Sequence, residues 1–100
     1  IFRYNESMKQ KQKVEVLKAL ADETRLSIVR KLAEHGKPVT SCDIVCSCKS
    51  LESLSQPAVS HHFGKLVAAG IIREEKQGTQ KVYELSAEVL ESIGIDATKL

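Results

Sequence analysis

Three cysteines lie close together in the middle of this 100-residue chain, at Cys42, Cys46 and Cys48. Thiolates are soft ligands, so a cluster of this kind is typical of a site for As(III), Cd(II), Zn(II) or Cu(I). On a regular helix Cys42 and Cys46 lie one turn and about 40° apart, whereas Cys48 lies about 200° from Cys46. One ion could contact all three thiolates only if the helix unwinds after Cys46 or if a partner subunit supplies a ligand.

Two other uses of the same cysteines stay open. Cys42 and Cys46 could form an oxidation-sensitive pair, although helical geometry strains a disulfide at that spacing. Free cysteine is also among the most frequently buried residues, and the helix that carries these residues needs apolar filling. Metal or metalloid sensing, redox sensing and structural burial are therefore three alternatives.

A second candidate site lies on the stretch LSQPAVSHHFGKLVAAGII, residues 54–72. The period of an α-helix places its large apolar residues on one side. The other side is formed by Pro57, Ala58, His61, Gly64, Lys65 and Ala68, with Ser60 on the flank. The stretch contains no Asp or Glu, although a solvated helix face usually carries several charges. Such a face suits insertion into the major groove of DNA, and the alternative is an ordinary amphipathic core helix.

Polar side chains on this helix and on a hairpin after it supply the candidate DNA contacts. Gln56, Ser60 and His61 can address base edges or phosphates, and Lys65 can contact a phosphate. We expect His62, at the edge of the core side, to make structural hydrogen bonds instead. The predicted DNA-contacting set is Ser55, Gln56, Ala58, Ser60, His61, Lys65, Lys76, Gln77, Gly78, Thr79 and Lys81.

Caps, breakers and hydrophobic spacing predict the elements that position these residues. A first amphipathic helix, Met8 to Leu20, carries Val14, Leu17 and Leu20 on its apolar side. The later expected elements are a helix from Asp22 to Gly36, a helix opened by Thr40 with an end between Cys48 and Leu54, a helix from Ser55 to Gly70, strands Ile71–Glu75 and Lys81–Leu85, and a helix from Ala87 to Ile93 capped by Ser86. The fold class is mainly α with a small β-hairpin, a winged helix-turn-helix in the order α-α-α-α-β-β-α.

Composition excludes several classes of function. The chain has 15 basic and 13 acidic residues, a net charge of +2, so only the distribution of charge favours a nucleic-acid partner. No apolar run has the length of a membrane span and no signal-peptide pattern opens the chain, so we expect a cytoplasmic protein with no membrane partner. The sequence contains no catalytic triad, paired-carboxylate motif or phosphate-cradling loop, so we do not expect an enzyme. We expect one domain, residues 1–100, for both DNA binding and dimerisation.

Three blocks, ALADETRLSIVRKLAEHG, LSQPAVSHHFGKLVAAGII and KQGTQKVYELS, resemble the ArsR/SmtB (arsenical repressor) family of winged-helix transcription factors. The resemblance implies a homodimeric repressor on double-stranded DNA, with an imperfect palindromic operator that it leaves when an inducer binds. It also implies that the helix 55–69 enters the major groove, that the hairpin 73–85 is the wing, and that the first and last helices form the dimer interface. No cofactor is required, and As(III) or a soft divalent metal is a candidate inducer.

The chain departs from this family in the cysteine segment. Arsenic-sensing members carry Cys-Val-Cys-Asp-Leu, whereas here Thr40 replaces the first cysteine, Cys42 matches the second, and a few extra residues bring Cys46 and Cys48. The carboxylate and His ligands of the zinc-sensing members are not expected, because the last segment contains Glu88, Glu91 and Asp96 but no His. A redox-sensing repressor and a winged-helix protein-interaction module without DNA binding are the alternative functions.

Overall fold

The computed structural model describes residues 9–100. It is mostly helical, with one antiparallel sheet of three strands in the order β1-β3-β2. The elements are α1 Gln10–Leu20, α2 Glu23–His35, β1 Val39–Thr40, α3 Ser41–Ser47, α4 Lys49–Glu52, α5 Gln56–Ala68, β2 Ile72–Gln77, β3 Gln80–Leu85, α6 Ala87–Glu91 and a final 3₁₀ turn Ala97–Lys99. This confirms the predicted winged helix-turn-helix and adds the short elements β1 and α4.

The predicted caps determine where three helices begin. The side chains of Asp22, Thr40 and Ser55 accept hydrogen bonds from backbone N–H groups in the first turns of α2, α3 and α5. Each bond satisfies an N–H that has no partner inside its helix. Gly36 ends α2 in the left-handed conformation, with φ of 64°, which glycine adopts without strain. Local sequence therefore accounts for these helix boundaries.

The hairpin of β2 and β3 has a two-residue turn. Gln77 pairs with Gln80, so Gly78 and Thr79 form the loop. Gly78 has φ of 64°, and no non-glycine residue among 9–100 has positive φ, which is the sign pattern of a type II′ turn. β1 pairs with the other edge of β3, with Val39 opposite Tyr83. The hairpin is thereby attached to the connection between α2 and α3.

The core is aliphatic and is formed by the helices packed against the base of the sheet. Ile28, Ile44, Leu66 and Leu90 are among its fully buried side chains. Burial of such side chains stabilises a fold by roughly 1.5–3 kcal/mol each. The core therefore holds α5 in place through one side of that helix.

The prediction for the apolar side of α1 was wrong for two of its three residues. Val16, Ala19 and Leu20 are buried, whereas Val14 is 40% exposed and Leu17 is 52% exposed. The contacts of α1 with α2 and α5 select the buried side, which the pattern of apolar residues alone does not specify. Met8 lies outside the described residues.

Two details at the C-terminal end also differ from expectation. α6 ends at Glu91, and the side chain of Ser86 makes no cap hydrogen bond. Instead Ser86 is buried, and its backbone N–H donates to the carbonyl of Ile71 at 2.8 Å.

Within residues 9–100, no helix combines the length and apolar character needed to cross a bilayer.

Candidate nucleic-acid interface and cysteine cluster

α5 presents two chemically different sides. Val59, Phe63 and Leu66 are buried against the core. Of the residues predicted to face outward, Ala58 is half-buried and the others are exposed. We use the term outer face of α5 for these exposed residues: Gln56, Pro57, Ser60, His61, Gly64, Lys65 and Ala68.

The outer face is suited to close contact with a polyanion. It carries no carboxylate, and a Cβ placed on Gly64 would meet no atom within 4 Å, so this part of the helix surface is open. Gln56, Ser60 and His61 offer donors and acceptors in the first two turns, and Lys65 adds a positive charge further along. The hydroxyl of Ser55 caps the helix by accepting from the N–H of Ala58 at 3.3 Å.

An aromatic contact joins α5 to the hairpin. The rings of Phe63 and Tyr83 stack with centroids 4.4 Å apart and an interplanar angle of 14°. The Tyr83 hydroxyl donates to a carboxylate oxygen of Glu74 at 2.9 Å. Burial, with this hydrogen bond to the carboxylate, raises the pKa of the Tyr83 phenol well above its usual value. The hairpin is thus held at a defined position relative to the outer face of α5.

The hairpin tip is exposed and polar, and it carries both signs of charge. Lys76, Gln77, Gly78, Thr79 and Lys81 are all exposed, as a wing contacting DNA requires. Two carboxylates on β2 were not weighed in the sequence prediction. Glu74 lies 4.0 Å from the Lys81 amine, and Glu75 accepts from the side-chain amide of Gln77 at 3.0 Å. These contacts partly offset the positive charge of the tip.

The base of the hairpin is linked to α6 by exposed ion pairs. The Arg73 guanidinium lies 3.0 Å from a carboxylate oxygen of Glu88 and 3.4 Å from one of Glu84. Hydrogen bonds from its own backbone N–H and from Arg73 lower the pKa of the Glu88 carboxyl. Ion pairs as exposed as these contribute little to stability.

A polar cluster supports α5 from behind, and sequence reasoning identified two of its members, Asp22 and His62, but not the third, Arg25. The Arg25 Nε donates to the carbonyl of Ala19 at 2.6 Å, and its Nη1 lies 3.2 Å from Nδ1 of His62. His62 Nδ1 lies 3.8 Å from an Asp22 carboxylate oxygen. The backbone N–H of Arg25 and the charge of its guanidinium lower the pKa of the Asp22 carboxyl. His62 is thus a structural hydrogen-bonding residue, as predicted.

Arg25 was missed because its partners are distant in sequence. The block DETR does contain a local signal, because Asp22 is an N-cap and Arg25 lies in the first turn of the helix that follows it. Nothing local specifies that the guanidinium reaches α5, where His62 lies 37 positions away. Only the packing of α1, α2 and α5 brings these groups together.

The three cysteines do not share one environment. Cys42 and Cys46 are exposed on α3, one helical turn apart. α3 ends at Ser47, and Cys48 is extended, 2% exposed and part of the core. In residues 9–100, no group of three or more His, Cys, Asp or Glu side chains is arranged to hold a metal ion. The predicted three-cysteine site is therefore not assembled within the described part of one subunit.

Comparisons with known proteins agree with this architecture. A sequence profile of the family described as "Bacterial regulatory protein, arsR family" matches residues 22–74, more than half of the chain. An uncharacterised HTH-type transcriptional regulator of Methanocaldococcus jannaschii is 39% identical over 77 residues, covering 75% of this chain and 79% of the relative. The arsenical resistance operon repressor of Escherichia coli is 40% identical over 76 residues, covering 76% of this chain and 61% of that protein.

A solved structure gives the same result for the fold. The crystal structure of an ArsR family transcriptional regulator matches with a TM-score of 0.74 and 23% identity, covering 86% of this chain and 82% of that one. The family consists of transcriptional regulators, which confirms the prediction that the chain is not an enzyme. The profile match and the identities together show that the chain belongs to the arsR family of bacterial regulatory proteins.

Proposed function

We propose that the protein is a homodimeric repressor that binds an imperfect palindromic operator through α5 and the β2–β3 wing. We further propose that As(III) or a soft divalent metal ion releases it by binding cysteine thiolates on α3. The observation that carries the proposal is the outer face of α5, which is free of carboxylates, open at Gly64 and set beside the exposed wing.

The chemistry of α5 divides its contacts into two kinds. Gln56, Ser60 and His61 supply hydrogen bonds to base edges in the major groove, where each base pair presents a distinct pattern. Lys65 supplies a phosphate contact, which adds affinity without sequence information. The wing residues Lys76 and Lys81 contact the adjacent backbone, and the remaining wing-tip residues allow close approach.

The exposed apolar residues of α1 support a dimer. Val14 and Leu17 are large, exposed and one turn apart on the same helix. A second copy of the chain would cover them in a two-fold interface with the same patch on both subunits. Two copies of α5 about 34–36 Å apart would then meet two half-sites one turn of DNA apart.

The sensor consists of Cys42 and Cys46 and excludes Cys48. An exposed pair one turn apart can approach a common soft ion, whereas Cys48 is packed in the core. The third ligand then comes from a partner subunit or from a small molecule. α3 is connected to α5 through the short helix α4, and we infer that an ion that distorts α3 displaces the outer face of α5 through this connection. The name of the E. coli relative, an arsenical resistance operon repressor, supports a metalloid.

The DNA part of the proposal is tested by binding to duplexes from the chain's own promoter over a range of salt. Lys65→Gln and Lys81→Gln should each lower the slope of log affinity against log salt by about one, because each removes a phosphate contact. Gln56→Ala and His61→Ala should instead relax sequence preference. Lys99→Gln, an exposed lysine near the C-terminal end, is the control. Failure to form a specific complex at moderate salt, with capture of a stable protein partner instead, would favour the protein-interaction alternative.

The sensor part is tested by adding As(III), Cd(II), Zn(II) or peroxide to the preformed DNA complex. We expect As(III) to release the wild type, Cys42→Ser and Cys46→Ser to stay bound, and Cys48→Ala to respond like the wild type. Release by peroxide alone would indicate redox sensing. Release by none of the four would reject thiol sensing, and the proposal of DNA binding would still stand.

A further inference from the structure

A cleft of about 350 Å³ lies between α1 and the C-terminal half of α5, next to the outer face of α5. Its charged lining residues are Lys18 on α1, Arg25 on α2, Lys65 on α5 and one carboxylate, Glu15. Three cations against one carboxylate give the lining a formal charge of +2. We propose that this cleft is a binding site for an oxyanion of the phosphate class.

Arg25 is the preorganised part of the site. Its guanidinium is half-buried and held by the Ala19 carbonyl at Nε and by His62 at Nη1. Those two bonds use only part of its five N–H donors, and within residues 9–100 no hydrogen bond engages Nη2. A guanidinium fixed in this way loses little conformational entropy when it binds a planar or tetrahedral oxyanion.

Several carbonyl groups at the helix ends that border the cleft are engaged by hydrogen bonds within the protein. At the end of α1, the Ala19 carbonyl accepts from Arg25, and the Lys18 carbonyl accepts from the N–H of Ala21. At the end of α5, the Lys65 carbonyl accepts from the N–H of Ala69 at 3.1 Å. The cationic side chains of Lys18, Arg25 and Lys65 are the groups in the lining that attract an anion.

The small side chains Ala68 and Ala69 form the remaining wall and leave room beside the cations. Lys65 belongs both to this cleft and to the outer face of α5. The bound phosphate therefore has two candidate sources: the backbone of an operator held by α5, or a free phosphate group. The recognising chemistry is the same for both sources.

The free source is tested by titrating inorganic phosphate into the full chain at constant ionic strength, with chloride as the reference anion. Two-dimensional ¹H–¹⁵N spectra should show saturable shifts at the amides of Lys18, Arg25 and Ala69 with phosphate and not with chloride. Lys18→Gln should weaken phosphate binding by about fivefold, the effect of one surface charge pair. Lys11→Gln, two turns earlier on the same helix, should not.

The backbone source is tested by DNA binding of Lys18→Gln across a salt series. A phosphate of the operator in the cleft predicts that the slope of log affinity against log salt falls by about one. Phosphate-specific shifts with an unchanged slope assign the site to a free anion. The absence of both effects overturns the proposal. Lys18 is exposed, so the variant should fold, and the phosphate titration decides the question even if the chain does not bind DNA.

Discussion

α5 and the cysteine segment 42–48 were both singled out by residue type, but only α5 could be oriented from its sequence. α5 is an uninterrupted helix of 13 residues, so its period separates a buried side from an outer face. The cysteine segment begins on a helix of seven residues that ends at Ser47. Beyond that point the helical period no longer relates Cys48 to Cys42 and Cys46. The comparison teaches that spacing predicts geometry only as far as the element continues.

The largest expected effect tests the two sides of α5. Phe63→Ala should lower the free energy of unfolding by about 3–5 kcal/mol, because it opens a cavity and removes the stack on Tyr83. His61→Ala, on the exposed side of the same helix, should change it by less than about 0.5 kcal/mol. Denaturant unfolding of both variants provides the measurement. Equal destabilisation would mean that the assigned sides are wrong.

Substitutions of the three cysteines should differ in their effect on the free energy of unfolding, measured in the same way. Cys48→Ser places a hydroxyl in the core and should cost about 1–3 kcal/mol. Cys42→Ser and Cys46→Ser, both at exposed positions, should stay within about 0.5 kcal/mol of the wild type. A stable Cys48→Ser protein would place that thiol in contact with water and would return it to the set of candidate metal ligands.

The stability that Asp22 contributes, in the polar cluster behind α5, should depend on pH in a defined direction. The Asp22 pKa is lowered from 3.8 in the folded state, so its contribution is present above that value and is lost as pH falls through the lower folded pKa. Loss of the cap in Asp22→Ala should cost about 0.5–2 kcal/mol at pH 7. The difference between wild type and variant, followed by thermal unfolding from pH 7 to pH 2, should shrink below pH 4. A constant difference would show that the carboxylate charge does not contribute.

The smallest expected change is at Gly64 on the outer face of α5, where one substitution should raise the stability of the fold and lower its affinity for DNA. Gly64→Ala should stabilise the fold by about 0.5–1 kcal/mol, because the added Cβ meets no neighbour and glycine is unfavourable within a helix. The same methyl group should weaken DNA binding, since it lies on the surface proposed to enter the groove. Thermal unfolding and DNA titration of one preparation test both effects. Unchanged affinity would show that close approach at Gly64 is unnecessary.

Much of the framework was predictable because its signals are local. The N-caps Asp22, Thr40 and Ser55 each form the hydrogen bond that their type and position indicate. The hairpin also forms where it was predicted, although its strands extend closer to the turn at Gly78 and Thr79 than expected. Ser86 is the exception, since burial and a backbone bond to Ile71 replace the expected cap. A local signal thus predicts the local structure correctly unless tertiary packing buries the same residue or bonds it to a distant part of the chain.

The sequence alone determined the longer helices, the β2–β3 hairpin and the outer face of α5, because each depends on contacts within a few turns or across one tight turn. The tertiary structure decided which side of α1 is buried, leaving Val14 and Leu17 exposed, and which cysteine is in the core. It also decided that Arg25 would reach His62 and border the cationic cleft. These features depend on how separate elements pack, and residues distant in sequence carry no periodic signal of their proximity.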